Sequence, residues 1–386
     1  MNRFTAVLLL LLWVDASPSD ARYSLKARPL PEILGVTHVD GKYHFTDKDF
    51  VSEGADEILA IGSRVIKVWF HALPNSYRFN TEWPHIDSLV DMARTPHFQQ
   101  LFEKPFTTYI LMAFAVGQWD GHWLDGFSEE ERQFEYQQFY DLTAYLLTRY
   151  RGTDKMFVLQ HWEGDWMVRG GTDASKDPTP EAMKRMTAWL NARQAGVSDA
   201  RERFRQVGVR VYHAAEVNLV VQSMDQGRPG VINKVIPNTN VDLVSYSAWD
   251  SVIPGGTDPN LFHRALDFIA ANTPDHPDFG DKNVYVGEFG VPANQFPPAK
   301  RQRMVANTVQ AGLAWGCPWV VYWQLYCNEF KGRAAPLPVK HNDAMKGFWL
   351  IRPDGSKDWA WHYLHGLLKP GQPLPGASGH DAITVD

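Results

Sequence analysis

The chain has 386 residues, 44% of them hydrophobic, and a formal net charge of -6. That length supports a large core, and α/β barrels of this size fold as one domain. The acidic balance and the lack of a basic stripe argue against a nucleic-acid partner.

The N-terminus has the pattern of a secretory signal. Arg3 gives a positive start, Ala6–Val14 form an apolar run, and Ala16 and Ala21 are candidate cleavage sites. The run is too short to span a bilayer comfortably. Residues 1–21 are therefore expected to be a signal peptide and residues 22–368 a single barrel domain. Residues 369–386, rich in Pro and Gly, are expected to be a loose tail. The expected location is the periplasm or the exterior, with no membrane partner after signal removal.

From there the chain alternates short apolar runs with helical segments. The runs are Ile33–Val39, Val65–His71, Phe106–Val116, Met156–Glu163, Val209–Asn218, Val241–Ser247, Val284–Gly290 and Trp319–Leu325. They are nearly continuously apolar, as strands buried on both faces are. Between them, Thr46 precedes a helix predicted over Asp47–Ile61, and another is predicted over Ile86–Phe102. Ser128 with Glu131 makes a capping box ahead of Arg132–Tyr150. Thr179–Pro180 and Asp258–Pro259 each put a capping side chain before a first-turn Pro. Further helices fit Ala299–Ala314 and Asp358–Leu368, whereas Asp225–Asn240 supports only a short or irregular one. Eight such units predict an α/β fold, a closed (β/α)8 TIM barrel. The turn after Val39 lacks the Gly-rich fingerprint of a dinucleotide-binding sheet. Cys317 and Cys327 flank the last strand, whose length puts them roughly 20 Å apart. A disulfide needs Cα atoms within roughly 7 Å, so the two are expected to stay free.

In such a barrel, chemistry sits at the C-terminal ends of the strands. The fourth strand ends His161-Trp162-Glu163 and the seventh ends Gly287-Glu288-Phe289. Glu288 shares parity with Val284 and Val286, and Glu163 with Phe157 and Leu159, which lets both carboxylates point into one mouth. Two carboxyl groups flanking one bond are what glycosidic cleavage requires, one as acid and one as nucleophile or base. Each also raises the other's resistance to ionising. The 15 Trp residues fit the same picture. A sugar ring presents apolar C–H faces that lie against flat aromatic rings. Strand-end Trp69, Trp119, Trp162, Trp249 and Trp323, with His71 and His161, are the candidate substrate contacts.

A Glu closing strand four and a Glu closing strand seven resembles glycoside hydrolase clan A, and Val284–Gly290 is similar to the nucleophile strand of its cellulase-like, family 5-type members. The resemblance covers roughly Ile33 to Leu368. It implies a retaining enzyme acting on a neutral poly- or oligosaccharide, with Glu288 as nucleophile, Glu163 as general acid/base and no cofactor. It also implies that Tyr246 hydrogen-bonds the nucleophile and that Trp323 is a platform under the sugar. One departure stands out. The clan usually has Asn before the strand-four acid, and this chain has Trp162. Asn218, Gln160 or His161 would then have to contact the sugar 2-hydroxyl, and Glu216 on strand five is a second candidate acid.

Two other readings compete. His38, His161 and His213 lie on strands and suit a metal-dependent barrel hydrolase, but strand one has no His pair and Val320–Leu325 has no carboxylate. A barrel that binds carbohydrate without cleaving it is the second, and two mutually repelling carboxylates argue against it. No Gly-x-Ser-x-Gly elbow and no phosphate-binding Gly loop is present.

Overall fold

The computed structural model describes residues 28–118, 121–253 and 259–369. The expected signal peptide, the tail beyond Lys369, the Asp258 cap and Trp119 lie outside the described residues. Eight parallel strands close into a barrel in chain order. They are β1 (Leu34–His38), β2 (Val65–Phe70), β3 (Thr108–Ala113), β4 (Lys155–Gln160), β5 (Val209–Val217), β6 (Leu243–Ser247), β7 (Val284–Phe289) and β8 (Val320–Tyr322).

Two helices of the coat begin at the predicted caps, Ser128 and Thr179, and α1 (Phe50–Ile61) does not. It starts at Asp49, whose carboxylate accepts from Ser52 N–H. Thr46 instead donates its hydroxyl to Glu53. The helix expected over Ile86–Phe102 is two, α3 (Leu89–Arg94) and α4 (Pro96–Glu103), after the short α2 (Leu73–Ser76). The break is Thr95–Pro96: Pro bars Thr95 from helical φ/ψ, and Thr95 then caps α4 by accepting from Phe98 N–H. α5 (Glu129–Arg149) carries the capping box of Ser128 and Glu131, and α7 (Pro180–Arg203) follows the short α6 (Gly164–Arg169), capped by Thr179. After β5 come α8 (Val220–Gln226) and the irregular turns Val231–Val235 and Ile236–Asn238. α9 (Trp249–Val252), α10 (Pro259–Asn272), α11 (Pro298–Trp315) and α12 (Trp359–Leu368) complete the layer. Among the described residues no helix is long and apolar enough to cross a membrane. Cys317 and Cys327 are buried and free.

Strand alternation divides the core in two. Val65, Ile110, Met156, Val158, Tyr212, Ala214, Leu243, Tyr285 and Val321 form a separate buried cluster that fills the barrel interior. Ile66, Phe157, Leu159, Val284 and Val286 belong to the layer shared with the helices. This overturns the parity argument for the two carboxylates, because Val284 and Phe157 face outward. Continuing the inward set up the barrel gives Lys67, Gln160, Glu216 and Ser245 instead. These form a polar layer above the apolar plug.

Candidate active site

Glu288 reaches the barrel mouth because β7 is irregular. The register with β6 shifts between Tyr246 and Ser247, and that with β8 between Val286 and Phe289. A residue that would have faced the helices is thereby turned inward. Gly287 makes the turn feasible, since any Cβ there would collide with Ser245 Oγ. Glu288 is 1% exposed. Its Oε1 accepts from Lys67 Nζ at 2.7 Å and its Oε2 from Ser247 Oγ at 3.0 Å. Burial pushes its carboxyl up, to about 7, against the pull of the Lys67 ammonium.

Glu163 arrives by a different route. The chain leaves β4 after Gln160, and Glu163 adopts the left-handed conformation, φ 43° and ψ 60°, which costs a non-Gly residue free energy. Its backbone N–H donates to Glu216 Oε1 at 2.7 Å, which holds that conformation. Burial, then the charges of Glu288 and Glu216, push the Glu163 carboxyl up to about 9. At neutral pH it therefore carries a proton.

Beneath both lies a buried network. Lys67 Nζ also donates to Glu216 Oε2 at 3.2 Å, and Gln160 Nε2 donates to the same oxygen at 2.8 Å. Tyr285 in turn donates to Gln160 Oε1. Burial alone would discharge Lys67; Glu216 and Glu288 outweigh it and hold its proton more firmly than in water. Glu216, the second candidate acid, is fully buried with both oxygens engaged, so it is placed to orient Glu163 and Lys67.

The cavity above measures about 450 Å³, and Glu163 and Glu288 line it together. Its walls are Trp69, Trp162, Trp249 and Trp323. The Trp323 ring lies 5.5 Å from that of Trp69 and 6.5 Å from that of Trp249. Trp323 lines the cavity and is also core packing, since it is 6% exposed and belongs to the core. Trp323→Ala is therefore expected to weaken sugar binding and also to cost about 3–5 kcal/mol of stability. A melting temperature within a degree of the parent's would contradict the packing role.

Several predicted contacts sit elsewhere. His161 is fully buried against the Trp189 ring, with Nε2 accepting from Glu216 N–H at 3.0 Å; burial pushes its pKa down to about 3. His71 packs beside Phe114 and is not part of the cavity wall. Asn218 is turned to Asp165, accepting its N–H at 3.3 Å, and is also outside the wall. Tyr246 donates to Asp250 at 2.5 Å and its hydroxyl oxygen lies 2.8 Å from Ser251 Oγ; Ser247 takes the contact to Glu288 that was expected of Tyr246. The three strand histidines all face the helix layer: His38 bonds the Phe50 carbonyl and His213 the Gln194 amide. Among the described residues no group of three His, Cys, Asp or Glu is placed to hold a metal ion.

Sequence reasoning missed Lys67, Ser247, Asp40, Asn75, Ser76, Asn328 and Glu329. Lys67 had a signal: one cation inside the apolar run Val65-Ile66-Lys67-Val68-Trp69. Ser247 ends β6, Asn75 and Ser76 lie on the short α2, and Asp40, Asn328 and Glu329 lie on loops, with no comparable mark.

No protein-family model matches the chain, and no curated protein matches it by sequence. Solved structures do. A lichenase of glycoside hydrolase family 5 from Caldicellulosiruptor sp. F32, a variant in complex with cellotetraose, superposes with a TM-score of 0.52 at 12% identity, over 87% of this chain and 92% of that one. A β-glucuronidase of Bacteroides uniformis gives 0.51 at 11% identity over 90% of this chain, which spans only 36% of that protein. The AHE enzyme of Alicyclobacillus herbarius gives 0.50 at 11% identity, over 89% of this chain and 97% of that one. At these identities the likeness establishes the shared barrel.

Proposed function

We propose that the protein is a retaining glycoside hydrolase acting on a neutral glycan, with Glu288 as nucleophile and Glu163 as general acid/base. The observation that carries this reading is that the two carboxyl groups share one Trp-lined cavity in opposite settings. Glu288 is gripped by a buried Lys and a Ser, whereas among the described residues no cation is bonded to the Glu163 side chain, which is raised far enough to hold a proton. That split is what an acid and a nucleophile working at one pH require. The barrel shared with a lichenase and a β-glucuronidase is consistent with it.

In the first step a Glu288 oxygen attacks the anomeric carbon. The bond to the leaving oxygen breaks as that oxygen takes the Glu163 proton. In the second, the Glu163 carboxylate takes a proton from water, whose oxygen attacks the same carbon and releases Glu288. The aromatic walls hold the sugar's C–H faces and exclude bulk water.

The test is a panel of p-nitrophenyl glycosides together with 2,4-dinitrophenyl 2-deoxy-2-fluoro glycosides, which are expected to leave one glycosyl group on Glu288. Adduct-free protein with no release of nitrophenol from any sugar would refute the reading. Export is proposed on the N-terminal residues alone. Intact mass of protein recovered from medium or periplasm should start after Ala16 or Ala21, and a chain still carrying Met1 would count against it.

A further inference from the structure

The cavity is asymmetric. Toward β4 and β6 its described wall is Trp162, Glu163 and Trp249, close to the strand ends. Toward β8, β1 and β2 the wall continues outward into loops and turns polar, with Asp40, Asn75, Ser76, Asn328 and Glu329.

Those loops are tied into one rim. The β1 and β2 loops are joined by Asp40 N–H to the Ser76 carbonyl at 2.8 Å and by Arg78 to Asp40 Oδ1 at 2.6 Å. Lys42 Nζ closes on Asp40 Oδ2 at 2.6 Å. The β1 and β8 loops are joined by Lys42 N–H to the Cys327 carbonyl at 3.2 Å and by Val339 N–H to the Lys42 carbonyl at 2.8 Å. Within the β8 loop, Lys346 Nζ meets Glu329 Oε2 at 2.6 Å. The β7 loop joins through Ala293 N–H to the Gly347 carbonyl at 3.0 Å and Asn294 Nδ2 to the Asn342 and Met345 carbonyls at 2.8 Å each. The rim is thus continuous from β7 round to β2.

The acid fixes polarity. Glu163 protonates the leaving oxygen, so the leaving group lies on the β4 side. The sugar being transferred then points at the walled end. A chain-internal unit would need a path through that wall for the next unit. A terminal unit needs none, and its free hydroxyls need polar partners, which Asp40, Asn328 and Glu329 offer. The volume of about 450 Å³ falls toward the small end of the range of about 300–1,000 Å³ for small-ligand sites. We infer that the cavity is blind on its β8–β1–β2 side and that the protein removes sugar from the non-reducing end of its glycan, with Asp40, Asn328 and Glu329 reading the terminal hydroxyls.

This rests on the glycosidase reading, and the experiment separates the two. p-Nitrophenyl mono-, di- and trisaccharides of the common hexoses and xylose, in both anomeric forms, are offered to the full-length protein. Each hexose di- and trisaccharide is also supplied with its terminal 4- and 6-hydroxyls bridged by a benzylidene group, and each xylose one with its terminal 4-hydroxyl methylated. End-reading predicts hydrolysis of free substrates and at least a 100-fold loss of kcat/KM on the blocked ones. Glu329→Gln should raise KM on free substrates about tenfold with a smaller change in kcat, since a charge-assisted hydrogen bond to a terminal hydroxyl is weakened. Equal turnover of blocked and free substrates would overturn the inference and leave the glycosidase reading intact. If no substrate is hydrolysed and Glu288 gains no glycosyl mass, the reading fails and this inference falls with it.

Discussion

Exchanging Glu288 for Ala is expected to abolish turnover of every glycoside, whatever its leaving group. The attacking oxygen is gone, and the loss should be on the order of 10⁵ or more in kcat, the scale on which covalent nucleophiles act. Azide fits the space vacated by the carboxylate and can attack the anomeric carbon itself. It should restore partial activity on an activated aryl glycoside and give a glycosyl azide of inverted configuration, identifiable by NMR. Glu288→Ala will also destabilise the fold, because Lys67 keeps its charge and loses its nearer partner. Glu288→Gln retains an oxygen toward Lys67, so it should remain folded and equally inactive. Circular dichroism on both variants separates lost chemistry from lost structure. Residual turnover above one-hundredth of the parent's in a folded Glu288→Gln would remove the nucleophile assignment.

Glu163 variants should behave differently. Glu163→Gln is expected to lose about 10²–10⁴ in kcat/KM on substrates with poor leaving groups. Activated aryl glycosides need little protonation, so their first step should survive, giving a burst of phenol and then slow turnover. With Glu163→Ala, azide should accelerate that second phase with retained configuration. The parent's profile should be a bell with limbs near pH 7 and 9, the regions to which the Glu288 and Glu163 carboxyls are pushed. Glu163→Gln should remove the alkaline limb. A stability effect of definite sign accompanies this. The Glu163 carboxyl is raised in the folded state, so the fold holds a proton that the unfolded chain gives up above about pH 4.5. Its favourable share is complete below that pH and is lost as pH rises toward about 9. The wild-type carboxyl thus costs stability at pH 8, by up to about 5 kcal/mol before screening by the water that reaches the cavity. Glu163→Gln should melt several degrees higher than the parent at pH 8 and nearly level with it at pH 5. A difference that shrinks with rising pH would contradict the assignment.

The strands were legible in the sequence because each is buried on both faces and reads as an unbroken apolar run. Their order followed, since parallel neighbours joined by helices close in sequence. Caps such as Ser128–Glu131 and Thr179–Pro180 were legible for the same local reason. Thr95–Pro96 carries the same chemistry inside a longer amphipathic stretch, and there the stretch dominated the sequence reading. The site was legible at Glu163 and Glu288 only as residue types at strand ends. The parity used to aim them was wrong for both. Glu288 is aimed by a strand irregularity and Glu163 by a left-handed turn, and neither leaves a mark in alternation. The true inward set included Lys67 and Glu216, and an isolated cation in an apolar strand was the trace of that layer. Loop residues such as Asn328 and Glu329 come to the cavity through long-range backbone pairing, to which local pattern is blind.

Lys67 touches two carboxylates, and this matters over a full reaction cycle. At rest, one buried ammonium faces both Glu288 and Glu216. When Glu288 becomes an ester in the proposed mechanism, it is neutral. A lysine paired with Glu288 alone would then be stranded without water or counter-ion, at a cost of several kcal/mol. Glu216, 3.2 Å away, is still in place and keeps the Lys67 ammonium partnered. The second carboxylate thus lets one buried cation keep a partner through both halves of the cycle, with the sugar attached as without it.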